Sequence, residues 1–179
     1  ERAVEPDFVR SFQREAKLSA AIQHKNVVGV YDCGVERGVH YLLMEFVDGN
    51  TLAGLCEEQE GARLDAKAAT GYVRQCAEAL AFVHGKDIIH RDIKPANVLV
   101  GSDGVAKLAD LGLAKQMDPD EANALTMQGM ALGSPAYMPP EQIRNARDAG
   151  RPADIYALGA TWYQCVSGKL PFDGKNSSE

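Results

Sequence analysis

The chain has 179 residues, 45% hydrophobic and 25% charged, enough for one ordinary globular domain with a real core. A net charge of −6 and a sequence pI near 5.3 argue against a nucleic-acid or anionic-membrane surface. There is no apolar run of about 18 residues, the length of a membrane span, and no signal-peptide pattern at the start. The four cysteines, Cys33, Cys56, Cys76 and Cys165, have no CxxC spacing and no histidine close by in sequence. That disfavours a zinc site or a redox pair, and reduced thiols in a cytoplasmic domain are the expectation. The chain opens at Glu1 and ends in a polar tail after Pro171-Phe172-Asp173-Gly174, so it reads as a piece cut from a longer protein.

In chain order, residues 6–22 predict a helix, with Pro6 in the first turn and Phe8, Phe12, Ser19 and Ile22 on one face. Glu15 sits on that seam, and a buried carboxylate there needs a cation; a partly exposed place at the stripe edge is the simpler alternative. Residues 27–32 and 38–46 predict strands, with Gly34 and Gly38 bracketing a turn. Asp48-Gly49-Asn50 breaks the pattern, and a short helix is expected after Thr51.

Residues 66–84 carry the clearest helical signal: Asp65 is a good N-cap, Ala69, Val73, Cys76, Leu80 and Val83 share a face, and Gly85 can end the helix. Short strands are expected near 97–100 and 105–109, around the turn Gly101-Ser102-Asp103-Gly104. From Asp110 to about Glu141 there is little periodicity, and so long a loop is usually functional. Residues 153–167, apolar nearly all round and closed by Gly168, predict a helix inside a core. Strands dominate before residue 50 and helices after it, which predicts a two-part α+β architecture.

The chemistry concentrates in His90-Arg91-Asp92-Ile93-Lys94-Pro95-Ala96-Asn97 and Asp110-Leu111-Gly112, each flanked by short apolar strands. Strands buried in a core hold loop residues rigidly. Asp92, Asn97 and Asp110 supply hard oxygen donors suited to Mg²⁺ with phosphates completing the shell. A carboxylate left off the metal can accept a proton from an attacking hydroxyl.

In this ordered set, running from Phe12-Gln13-Arg14-Glu15 to Gly168-Lys169-Leu170-Pro171-Phe172, the chain resembles the eukaryotic-type protein kinases, and most closely their bacterial serine/threonine members. The resemblance implies a two-lobed α+β fold, with residues 1–47 in a partial N-lobe and 48–179 in a partial C-lobe. It implies ATP and Mg²⁺ (Mn²⁺ as an alternative) as cofactors, and proteins bearing Ser or Thr as substrates. It allows a kinase–kinase dimer for autophosphorylation. Asp92 would orient and deprotonate the substrate hydroxyl, Lys94 would stabilise the transferring phosphoryl group, and Asn97 and Asp110 would hold the metal. Lys94, two residues after Asp92, points to Ser/Thr specificity. Met44 would be the gatekeeper beside adenine, Glu45 and Val47 would bond adenine through their backbones, and Leu99 would form its floor. Glu15 would pair with a third-strand lysine. Thr126 would be the activating phosphosite, with Arg91 and Lys115 as cationic partners. Ser134 would bond the catalytic loop, and Glu141 would pair with an arginine in a later helix. Asp154 would cap its helix and anchor it to the catalytic loop, or serve as a plain first-turn carboxylate.

The sequence departs from that family in several places. No residue can be assigned to the glycine-rich loop or to the third-strand lysine, so the 179-residue chain alone is expected to show little transfer activity. Leu111 stands where Phe is usual and Pro139 where Ala is usual. Two other readings stay open: a kinase-shaped scaffold that signals by binding, and a related small-molecule phosphotransferase. A lysine on the third strand discriminates the first, and transfer to a sugar rather than a protein the second.

Overall fold

The computed structural model describes residues 22–37, 39–111, 135–144 and 149–172. The helix expected over 6–22, with Glu15, and the loop positions Thr126 and Ser134 lie outside the described residues, though Ile22 at the edge is buried.

Two strands open the described fold, β1 (Val30–Glu36) and β2 (Val39–Met44), paired antiparallel. Pairing continues to Glu36 opposite Val39. Gly34 is therefore inside β1, opposite Tyr41, and not at the turn as its position beside Gly38 suggested. The strand is also shifted from the expected 27–32. Val27 instead makes a single parallel bridge to Leu108, with Val28 N–H donating to the Leu108 carbonyl at 2.9 Å.

A second sheet joins β3 (Gly49–Thr51), β4 (Val98–Gly101) and β5 (Ala106–Leu108), all antiparallel in the order β3-β4-β5. The Gly101–Gly104 turn between β4 and β5 falls where expected. On β4, Val98 and Val100 are buried while Leu99 faces the other way, opposite Lys107 in the ladder.

Thr51 caps α1 (Leu52–Glu57), its hydroxyl accepting the Gly54 N–H. Asp65 caps α2 (Ala66–His84), its carboxylate accepting the Lys67 and Ala68 N–H groups at 2.9 and 3.2 Å. Replacing Asp65 by Ala should cost about 1 kcal/mol, read as a lowered denaturation midpoint with an unchanged slope. The expected face of α2 is inward: Ala69, Cys76, Leu80 and Val83 are buried and Val73 packs beside them. Together with Leu52, Ile93, Val98 and Leu108 they form the main core. The four cysteines are free thiols, and burial pushes Cys76 up to about 12.

After α3 (Pro140–Arg144), α4 (Arg151–Ser167) packs along α2. Gly168 ends α4 in the left-handed region at φ 72°, where a Cβ would also lie 2.1 Å from the Gly61 carbonyl oxygen. A helix inside a core was expected, and α4 is buried along one face. Ala153, Ala157, Ala160, Thr161 and Cys165 are buried, while Ile155, Trp162 and Tyr163 are exposed. The small residues let α2 approach one side, and Trp162 at the margin of the exposed side donates its Nε1–H to Thr70 on α2 at 3.1 Å.

Candidate active site

The segment from His90 to Asn97 begins at the buried His90 and re-enters the sheet at β4, so both its ends are fixed. Ile93 points inward at 1% exposure and serves as its hydrophobic anchor. Pro95–Asn97 form one 3-10 turn, closed by the Asn97 N–H on the Lys94 carbonyl. That turn presents the Asn97 side chain back toward Asp92. Its Nδ2 donates to the Asp92 backbone carbonyl at 2.8 Å and to Asp92 Oδ2 at 3.0 Å. Lys94 Nζ lies 3.3 Å from the same Oδ2, with both side chains about three-quarters buried. Asp92, Lys94 and Asn97 thus form one hydrogen-bonded group.

Asp110 follows β5 and is joined to this group through its neighbour. Ala109 N–H donates to the Asn97 carbonyl at 2.9 Å, and the Ala109 carbonyl accepts from His90 Nε2 at 3.0 Å. Asp110 itself is exposed and adopts φ 57°. Arg91 has φ 64°. Left-handed backbone at a non-glycine residue costs on the order of 1 kcal/mol and persists where its surroundings enforce it. Around Arg91 the enforcers are visible. Its N–H donates to Asp154 Oδ1 at 2.7 Å and its carbonyl accepts from Gln142 Nε2 at 3.1 Å.

Asp154 is fully buried in the first turn of α4, and its other oxygen takes the His90 N–H at 2.8 Å and contacts His84 Nε2 at 2.7 Å. Asp154 is a first-turn carboxylate, but its burial and its bonds to the loop give it more than a helix-dipole role. Helix capping is overturned, since Gly150 holds the N-cap position and Asp154 turns its oxygens to the loop. What remains of the expectation is the tie between α4 and the loop.

His90 is buried in the same network. Its Nδ1 accepts the Asp92 N–H at 3.3 Å, so the proton resides on Nε2, which donates to Ala109. Burial pushes its pKa below the ordinary 6.5, against the opposing charges of Asp154 and Asp92. The folded state therefore disfavours the imidazolium that the unfolded chain accepts near pH 6.5. Stability should be full above that pH and fall as pH drops below it. Melting temperatures from pH 7.5 to 5.5 should decline, and His90→Gln should flatten the decline; an unchanged slope would remove His90 from this role.

At the expected nucleotide cleft, Met44 and Asp110 line one narrow hollow with Val28, Val30, Leu42, Leu108 and Leu111. Glu45 and Val47 follow β2, both partly buried, and Leu99 lies on the outward face of β4. Glu45 N–H donates to the Gly29 carbonyl at 2.7 Å, so of its backbone groups only the carbonyl is left for a purine. The Glu45 side chain, which sequence reasoning left without a role, reaches Lys107 on β5 at 2.6 Å. Glu141 is exposed on α3. His84, Gln142 and Lys107 were missed as contributors. Only the alternation of β5, which turns Lys107 away from the core between Ala106 and Leu108, hinted at one of them.

Among the described residues no three His, Cys, Asp or Glu side chains cluster as a metal cage. A two-donor site fits better. With Nδ2 committed to Asp92, the Asn97 amide offers its oxygen, and Asp110 offers an exposed carboxylate. Two hard oxygens suit Mg²⁺, which keeps water and phosphate in its other positions.

A proton-accepting carboxylate, a lysine and two hard oxygen donors are the groups that phosphoryl transfer requires. The whole chain, residues 1–179, matches the family described as Protein kinase domain, and the chain belongs to that family. It is 36% identical over 171 residues to the serine/threonine-protein kinase PrkC of Bacillus subtilis, covering 96% of this chain and 26% of that protein. It is 40% identical over 167 residues to the serine/threonine-protein kinase pkn2 of Myxococcus xanthus, covering 91% and 20%. It is 35% identical over 175 residues to the serine/threonine-protein kinase PknA of Mycobacterium tuberculosis, covering 95% and 39%. The chain thus spans between a fifth and two-fifths of the length of these relatives. No helix among the described residues is long and apolar enough to cross a membrane.

Proposed function

We propose that the protein is an ATP-dependent serine/threonine kinase acting on proteins, its domain working in the cytoplasm. The observation that carries this reading is the Asn97 amide, which braces Asp92 by two hydrogen bonds while its backbone carbonyl takes the N–H next to Asp110. Proton acceptor and metal donors are thereby held in one unit. Asp92 receives the proton of the incoming Ser or Thr hydroxyl. Lys94, beside it, offers its ammonium to the transferring phosphoryl oxygens. Asn97 and Asp110 would hold Mg²⁺, which when bound neutralises phosphate charge. Met44, Leu99, the Glu45 carbonyl and Val47 receive adenine.

Further roles extend the proposal. Thr126 is the activating phosphosite, Arg91 its cationic partner, and Ser134 a tie to the catalytic loop. Glu15 and Glu141 are members of ion pairs, and a second kinase copy is a partner in autophosphorylation.

The test is incubation of the full-length protein with Mg²⁺ and γ-labelled ATP beside a protein acceptor, a sugar and an aminoglycoside. Label in phosphoserine or phosphothreonine is the expected result. Label in the small molecules alone would make the protein a small-molecule phosphotransferase. Nucleotide binding without any transfer would make it a scaffold.

A further inference from the structure

Lys107 and Glu45 are 62 positions apart, yet Lys107 Nζ sits 2.6 Å from Glu45 Oε1. The other carboxylate oxygen, Oε2, accepts the Gly29 N–H at 3.1 Å, and the Glu45 N–H returns to the Gly29 carbonyl at 2.7 Å. Glu45 is therefore held from two directions. One is the segment entering β1; the other is β5, the strand that leads directly to Asp110. The two side chains are only 19% and 26% exposed, so water screens the pair incompletely. The hydrogen bond from Lys107 also holds the Glu45 carboxyl below its ordinary range.

The consequence concerns the Glu45 peptide. With its N–H spent on Gly29, the residue can offer a purine only its carbonyl. Where that carbonyl points depends on how firmly the residue is held. The β1-β2 ladder and the β3-β4-β5 ladder share no strand, and backbone bonds join them ahead of β1, where the Val28 N–H donates to the Leu108 carbonyl at 2.9 Å. The Lys107 ammonium ties the end of the first to the last strand of the second.

We infer that Lys107 is a positioning residue for adenine, acting through Glu45 to hold the purine-accepting backbone in register with the strand that carries Asp110. The inference rests on the kinase reading and deepens it. A different role for the same cation is direct attraction of the ATP phosphates, and uncharged adenosine separates the two.

In the full-length protein, KM for ATP, kcat, and the adenosine Kd from calorimetry would be compared for wild type, Lys107→Met and Lys107→Arg. Lys107→Met should raise both KM for ATP and Kd for adenosine about 3- to 10-fold, with kcat within about twofold. Lys107→Arg should restore most of the loss. Combining Lys107→Met with Glu45→Gln should be no worse than the worse single change, because both remove one interaction. An unchanged adenosine Kd beside a raised KM for ATP would overturn the inference in favour of phosphate attraction. A fall in kcat alone would also overturn it. Should Lys107→Met not fold, Glu45→Gln tests the same pair from its other end, and an unchanged adenosine Kd there overturns it equally. A wild-type protein that neither binds adenosine nor transfers phosphate would instead sink the kinase reading itself.

Discussion

Replacing Asp92 by Asn in the full-length protein should lower turnover about 100- to 10,000-fold, the loss associated with a missing general base. The substitution keeps the side chain's shape. The Asn97 Nδ2 bond to the residue 92 backbone carbonyl survives, and so does the hydrophobic anchor at Ile93. What disappears is a carboxylate able to receive the hydroxyl proton and to attract Lys94, now 3.3 Å away. KM for ATP should change far less than kcat, because nothing assigned to adenine or phosphate binding is removed. Steady-state kinetics at saturating ATP would show this. Turnover equal to wild type would take Asp92 out of the proton-accepting role.

The second large effect is on stability. Asp154 accepts hydrogen bonds from the His90 and Arg91 N–H groups and contacts His84 Nε2, all without solvent access of its own. Replacing Asp154 by Ala leaves these groups facing an apolar methyl. Each of the two buried backbone donors so orphaned costs about 1–3 kcal/mol. A total near 4 kcal/mol is a large share of an ordinary domain's stability. The melting temperature should fall on the order of 10 °C. Asp154→Asn keeps one acceptor and should lose less. The loop bearing Asp92 would also lose the contacts that enforce the left-handed backbone at Arg91, so activity should fall even where the variant folds. An Asp154→Ala protein melting within a degree or two of wild type would show that the network is dispensable.

How far the sequence reached depends on how local each signal was. α2 was legible because its cap and its three-and-four spacing are contained in twenty residues. The stretch from His90 to Asn97 was legible as a chemical unit for the same reason. β3 was not: Asp48-Gly49-Asn50 is turn chemistry, and it read as a break. In the fold Gly49 lies opposite Gly101, and a Cβ there would stand 2.0 Å from the Val100 carbonyl oxygen. Glycine marks close approach of backbones in a sheet at this position, which only the partner strand reveals. Glu45 was chosen for its backbone, while its side chain found Lys107 on a strand 62 residues later. No periodicity connects two such positions. Asp154 stood between two readings until its burial and its partners on another element were known. α4 looked fully buried because apolar residues surround it, yet pattern alone does not say which face has a neighbour.

The central claim is that Asn97 and Asp110 together hold a divalent cation on a nucleotide triphosphate, beside Asp92. The most direct test is a crystal structure of the full-length protein, or of its kinase domain, with Mg²⁺ and a non-hydrolysable ATP analogue. The account predicts a cation about 2.1 Å from the Asn97 amide oxygen and from an Asp110 carboxylate oxygen, with phosphate oxygens in its remaining positions. A nucleotide whose metal is held by other side chains, with Asn97 and Asp110 turned away from it, would contradict the account.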